Sequence, residues 1–241
     1  MTPRETHWSW LGPVAYGEAD AVQRRVREAL RRGAGPERLL LLEHPPVFTL
    51  GRNAGRREML ADGEWLRRRG VAVHETDRGG QATFHGPGQL VGYPVLDLSP
   101  DRRDVRRYVR DLSQVLVRTL ADLGVAAHCR PAPQIGVWVG EAKIAALGIH
   151  LSRWITIHGF ALNVSTDLSY FAGIVPCGMP EVRMTSIEQL TGRRHELAAM
   201  AARLVAHFAA VFGRRMVATP AGVLGLETAA EAVGAAATTG A

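Results

Sequence analysis

The sequence predicts an α+β fold, and three observations carry the prediction. Strand-like and helical stretches are mixed without the regular βαβ rhythm of a doubly wound sheet. Two long stretches, 104–123 and 195–212, repeat apolar residues at helical spacing. Between them, 135–139 and 143–151 flank the turn Gly140-Glu141 and read as a β-hairpin. With 241 residues, 46% of them hydrophobic and 22% charged, the chain can bury a proper core and has the composition of a soluble globular enzyme.

Taken in order, residues 17–32 place Val22, Val26 and Leu30 on one face and arginines opposite, as an amphipathic helix does. Residues 38–43 are an apolar strand stopped by His44-Pro45-Pro46, and 47–50 resume it. A basic, Gly-containing loop covers 51–57, and 71–75 form another short strand before Arg78-Gly79-Gly80. Residues 89–98 are strand-like up to Pro100. In 104–123 the stripe is Val105, Tyr108, Val109, Leu112, Leu116, Leu120 and Leu123, and Gly124 ends the helix. Residues 155–164 alternate as a strand. Thr185 and Glu188 have capping-box spacing and open a short helix. The last helix buries Leu197, Met200, Leu204, Val205, Phe208 and Phe212. A single domain is expected over 1–220, then an Ala/Gly-rich tail over 221–241, loose from Gly225 onward.

The net charge of +6 points to acidic partners. The arginines are scattered as on solvated helix faces, without zinc-finger spacing or an aromatic RNA-binding signature. An acidic protein is therefore the expected partner, not nucleic acid. Residues 1–11 hold no apolar run suited to a signal peptide, and nowhere do about 18 apolar residues run together as a membrane span requires. The two cysteines, Cys129 and Cys177, fit a reducing cytoplasm.

Lys143 is the one lysine among 29 Lys and Arg residues. Arginine replaces lysine wherever charge suffices, but a guanidinium does not give up its proton. Lys143 is thus either a leftover surface cation or a site of amine chemistry. Cys177 sits between Pro176 and Gly178 on a shaped turn. It is either a small core residue or a nucleophile, and a nearby ammonium would favour its thiolate. Cys129, beside Arg130-Pro131, lacks that setting and reads as structural.

The densest segment runs Arg78-Gly79-Gly80-Gln81-Ala82-Thr83-Phe84-His85-Gly86-Pro87-Gly88-Gln89. Its glycines allow close backbone approach to a ligand, and its polar side chains suit a binding loop. It is neither a Walker loop nor a Rossmann fingerprint.

The residues Arg78-Gly79-Gly80, Thr83-Phe84-His85, Gly88-Gln89, Val91 and Tyr93 resemble the signature of lipoyl(octanoyl) transferases. So do Lys143-Ile144-Ala145-Ala146-Leu147-Gly148, then His158-Gly159-Phe160-Ala161-Leu162-Asn163, and Pro176-Cys177-Gly178. The resemblance spans about residues 39–190, with the segments in the family's order. It implies the biotin/lipoate protein ligase fold, a mixed sheet with packed helices. It also implies a reaction without cofactor or metal, in which octanoyl-acyl-carrier-protein is the donor. The acceptor would be a lysine in the lipoyl domain of a 2-oxoacid dehydrogenase complex or in the glycine cleavage H protein. By the same likeness Cys177 accepts the acyl group and Lys143 is its charged partner. Arg78, Gly79, Gly80, Gln81, Ala82, Thr83, Phe84 and His85 would line the acyl pocket, with Ala146, Leu147, Gly148, Gly159, Phe160 and Ala161.

These residue types suit the chemistry. A thioester-to-amine transfer needs a nucleophile, a base and oxyanion donors. Backbone N–H groups near Gly178 or in Gly79-Gly80 are candidate donors. The small residues on the 143–151 and 155–164 strands either open a groove or allow close strand packing. His85 either assists proton transfer or only hydrogen-bonds, and His44 is a weaker candidate of the same kind. Two rivals remain: an ATP-dependent lipoate or biotin ligase, and a non-catalytic acyl- or nucleic-acid-binding module. The loop Gly51-Arg52-Asn53-Ala54-Gly55 lacks the repeated Gly-Arg character of a biotin-ligase adenylate loop, and Pro176-Cys177-Gly178 favours transfer.

Overall fold

The computed structural model of the chain describes residues 3–179 and 181–226, without the side chains of Arg56 and Cys177. It opens with β1 (Arg4–Pro13), α1 (Tyr16–Arg31), β2 (Glu37–Glu43) and β3 (Val47–Leu50). Then come α2 (Gly63–Arg69), β4 (Ala72–Glu75), β5 (Ala82–His85), β6 (Gln89–Val95) and α3 (Val105–Ala121). The second half carries β7 (His128–Arg130), β8 (Gly136–Val139), β9 (Ala142–Ser152) and β10 (Ile155–Asn163). It finishes with β11 (Arg183–Met184), α4 (Ile187–Thr191), α5 (Leu197–Phe212) and β12 (Arg214–Ala218).

The main sheet runs β12-β1-β2-β6-β10-β9-β8-β7, and β11 adds to β9. It is mixed: β1 lies parallel to β2 and β12, while β6, β10 and β9 follow antiparallel. Both faces are covered, which explains the unbroken leucine run of β2. Leu39 and Leu41 pack with Leu112 and Leu116 of α3 and with Leu204 and Phe208 of α5. Leu40 and Leu42 point the other way, to Val22 and Val26 of α1. Burying each such leucine contributes roughly 1.5–3 kcal/mol. A second sheet, β4-β3-β5, encloses a smaller core around Phe48, Phe84 and Phe171. Among the described residues no helix is long and apolar enough to cross a membrane.

Most expected elements occur within a few residues of their sequence bounds, and the departures have physical causes. The cap of α4 is Ser186, whose hydroxyl accepts from Gln189 N–H at 3.2 Å, not Thr185. Thr185 is engaged elsewhere, because its N–H bonds the Lys143 carbonyl at 3.0 Å and extends β11. A third of the expected binding loop is strand β5. The packed chain also continues beyond residue 220, since Ala221 and Leu224 bury beside α1 and Arg25 donates to the Leu224 carbonyl at 3.1 Å. The rest of the expected tail, 227–241, lies outside the described residues.

Candidate active site

A cavity of about 700 Å³ opens where the two sheets meet. Its walls come from Arg78 to Thr83 and His85, from Ala146 to Gly148 on β9, and from Gly159 to Ala161 on β10. Phe84 departs from the expected lining. Strand alternation turns it the other way, onto Tyr170 at a 4.6 Å stacking distance and edge-on to Phe48. Tyr16, Asn53, Tyr93, Gln134, Ile135, Ile149, His158, Gly178 and Met179 also line the cavity. Tyr93 and His158 fall inside the sequence motifs. Tyr16 and the 132–135 loop carry no local signal that would have found them.

The glycines do two jobs. A methyl group on Gly148 would stand 3.0 Å from the Gly79 carbonyl, and one on Gly159 would strike the Gly92 carbonyl. Both open the cavity wall and also let backbones pack closely, so the two readings of the small residues coincide. The Gly79 N–H bonds the Ile149 carbonyl at 2.8 Å, which docks the glycine loop on β9.

Arg78 is buried, and its guanidinium holds this loop in shape. It donates to the carbonyls of Thr49 (2.6 Å), Gly79 (3.1 Å) and Gln81 (2.7 Å), and to Thr49 Oγ1. The Thr49 hydroxyl in turn donates to His85 Nε2 at 3.4 Å. His85 Nδ1–H donates to Gln89 Oε1 at 2.8 Å, and Gln89 Nε2–H to Asn163 Oδ1 at 2.9 Å. Asn163 Nδ2–H then reaches the Thr185 carbonyl at 3.0 Å. Since the Thr185 N–H bonds the Lys143 carbonyl, one chain of hydrogen bonds runs from Arg78 to Lys143. The partners fix the His85 tautomer, and the ring serves as a strut in this chain.

Lys143 is 1% exposed, not a surface residue. Its Nζ lies 5.6 Å from the centroid of the Trp138 ring, and a side chain on Gly136 would collide with its Cε. The aromatic face favours the cation, and the glycine makes room for the stem. Pro176–Gly178 form a single 3-10 turn, and five residues past it β11 begins, setting Met184 against Lys143 in parallel register. The turn is fixed upstream by the Val175 N–H, which bonds the Glu58 carbonyl at 2.8 Å. The turn that carries Cys177 reaches the cavity at Gly178 and Met179, and β11, which begins five residues further on, pairs with the strand bearing Lys143. Cys129 is half-buried on β7 near the Gln114 amide at 3.7 Å, and burial pushes its thiol pKa up, against nucleophilic use.

His44 does not line the cavity. Its Nδ1–H donates to the Val14 carbonyl at 2.6 Å, so Nε2 accepts from the Tyr93 hydroxyl at 2.8 Å. Burial lowers its pKa to about 4 and also lowers those of His85 and His158. Depressed histidine pKa values favour folding above the ordinary value of 6.5 and lose that contribution as pH falls to the folded-state value. Stability should therefore drop between pH 6.5 and about 4, with His44 alone accounting for about 3 kcal/mol. Urea midpoints measured across this range test it, and a flat profile would mean that these rings titrate freely.

Among the described residues, the arrangement nearest to a metal site is Asp20, Asp77 and His158, whose ligand atoms lie within 4.8 Å of one another. Arg24 bonds both carboxylates, at 2.7 Å and 3.1 Å, and supplies the positive charge there. Burial opposes ionisation of Asp77, but the bonds from His158 and Arg24 outweigh it and hold its pKa at about 2.

The mixed sheet, with its cavity between a glycine loop and two small-residue strands, has the fold of lipoate-protein ligases. Lipoate-protein ligase A bound with ATP shares the fold at a TM-score of 0.72 and 18% identity, over 90% of this chain and 89% of that one. A bi-partite lipoate protein ligase of Thermoplasma acidophilum aligns at 0.71 and 19% identity, over 90% and 87% of the two chains. Residues 15–209 match the lipoyl protein ligase A/B catalytic domain. The octanoyltransferase of Solibacter usitatus is 51% identical over 206 residues, 86% of this chain and 92% of that protein. That of Rubrobacter xylanophilus is 48% identical, over 84% and 91%. The chain belongs to the lipoyl protein ligase A/B catalytic family, and within it to the octanoyltransferases.

Proposed function

We propose that the enzyme moves an octanoyl group from octanoyl-acyl-carrier-protein to a lysine of a lipoyl domain, through a thioester on Cys177. This is the first step of protein lipoylation. The observation that carries the reading is the Cys177 turn reaching the cavity, with β11 beyond it paired to the Lys143 strand. Lipoyl domains of 2-oxoacid dehydrogenase complexes and the glycine cleavage H protein are the acceptors. A cytoplasmic setting belongs to the same reading, because the Cys177 thiol must stay reduced.

In the first half-reaction the Cys177 thiolate attacks the carrier thioester. The new sulfur–carbon bond forms, the bond to the carrier sulfur breaks, and the departing thiolate takes a proton from the Lys143 ammonium. In the second, the acceptor amine attacks the acyl-enzyme and passes its proton to neutral Lys143, and Cys177 leaves as thiolate. The first step exchanges one thioester for another of similar energy and the second runs downhill from thioester to amide, so no ATP is consumed. Arg78, Gly79, Gly80, Gln81, Ala82, Thr83 and His85, with Ala146 to Gly148 and Gly159 to Ala161, form the pocket for the acyl chain.

With octanoyl-acyl-carrier-protein and no acceptor, peptide mass analysis should find one hydroxylamine-labile octanoyl group on Cys177. Label on Cys129, or full turnover by Cys177→Ser, would overturn the assignment. Free octanoate with ATP and magnesium should give no octanoylated lipoyl domain. Product in that arm would move the reading to a ligase.

A further inference from the structure

Gly178 adopts φ +66°, in the left-handed region, and the space a side chain would take there is filled by the carboxamide of Gln81. Both the Oε1 and the Nε2 of Gln81 pack directly against this glycine, one residue from Cys177. Gln81 and Gly178 both line the cavity.

The main chain of Gln81 is firmly held. Its carbonyl accepts from Arg78 Nη2 at 2.7 Å and from the Gly51 N–H at 3.3 Å. Gly51 in turn packs onto the Gly80 carbonyl so tightly that no side chain fits. The carboxamide differs: among the described residues no protein group hydrogen-bonds it, and it is not sealed away as a buried orphan. An amide with both N–H donors available, on a firmly held main chain, therefore stands in the cavity wall against the turn that carries the nucleophile.

Resting on the proposed acyl transfer at Cys177, we infer that the Gln81 carboxamide is an oxyanion donor. As sulfur or amine adds to the acyl carbon, an electron pair of the carbonyl moves onto its oxygen, and a Gln81 N–H bonds that oxygen. The pair returns when the leaving sulfur departs. Gln81 itself transfers no proton. A neutral amide suits this task, since it stabilises the oxyanion over the whole pH range in which Cys177 and Lys143 work.

The competing role is packing, with Gln81 merely filling the space over Gly178. Single-turnover acylation of Cys177 by octanoyl-acyl-carrier-protein separates the two roles when followed by quenched intact-mass measurement. Gln81→Met fills a similar space without a donor, and Gln81→Glu keeps the shape but presents an acceptor when ionised. Thermal melting verifies that each is folded, and either folded variant suffices. Loss of one oxyanion donor typically costs about 10²–10³ in rate. Both variants should acylate slower by that factor, with an unchanged dissociation constant for a non-hydrolysable octanoyl thioether of the carrier. Either variant acylating within a few-fold of wild type would overturn the inference and leave packing. Weaker thioether binding with an intact acylation rate would overturn it as well. Absence of acylation in the wild type would instead bring down the Cys177 thioester itself.

Discussion

Lys143→Arg should lose octanoyl transfer to a lipoyl domain by roughly 10²–10⁴-fold, the usual value of positioned acid–base catalysis. Arginine keeps the positive charge, so it can still favour the Cys177 thiolate and support some self-acylation. It cannot accept the proton of the incoming amine, because its pKa stays above about 12. The site adds a steric reason. Lys143 is 1% exposed and its Cε occupies the space left by Gly136, so a forked guanidinium must displace its neighbours. Overpacking of this kind costs typically about 1–3 kcal/mol. Rapid-quench measurement of both half-reactions, with melting temperatures alongside, separates the two effects. A folded Lys143→Arg protein that transfers within a few-fold of wild type would show that the lone lysine is an accident of composition.

Glu37→Ala should destabilise the fold by about 3–5 kcal/mol, the cost of stranding a buried charge partner. Glu37 is 3% exposed at the start of β2 and accepts from Arg214 Nε at 2.9 Å, Arg4 Nη2 at 2.7 Å, Thr6 Oγ1 at 3.1 Å and the Asp97 N–H at 3.0 Å. It ties β1 and β12 to the end of β6, on the side of the sheet away from the cavity. Removing it leaves the buried Arg214 with Asp101, at 2.6 Å, as its remaining carboxylate and with the Phe212 carbonyl at 3.3 Å. Urea unfolding should show the loss, with transfer by the remaining folded protein unchanged. A change under about 1 kcal/mol would mean that Asp101 and water replace the carboxylate.

The helices α1, α3 and α5 and the strands β2, β3, β6, β8, β9 and β10 were legible because each carries a continuous apolar pattern that local periodicity exposes. Strand β1 was not. Its inward positions include Thr6 and Ser9, both buried, so no hydrophobic alternation marks it. Helix α2 has no buried residue and rests on its Asp62 cap, which accepts from Trp65 N–H at 2.8 Å. Strands β5, β11 and β12 are short and exist through pairing with distant partners.

The sequence by itself determined the mixed α+β character, the glycine-rich and Pro-Cys-Gly motifs, and that Lys143 is the one lysine of the chain. These depend on residue type and local spacing, which the chain states directly. Only the tertiary structure decided that Lys143 is buried, that Phe84 faces away from the cavity, and that His85 is a strut between Thr49 and Gln89. It also placed Gln81 over Gly178, across 97 residues of chain. Those facts depend on the register of strands paired over long separations, and on close backbone approach at glycines. No local pattern encodes either, because both are settled by packing of the whole chain.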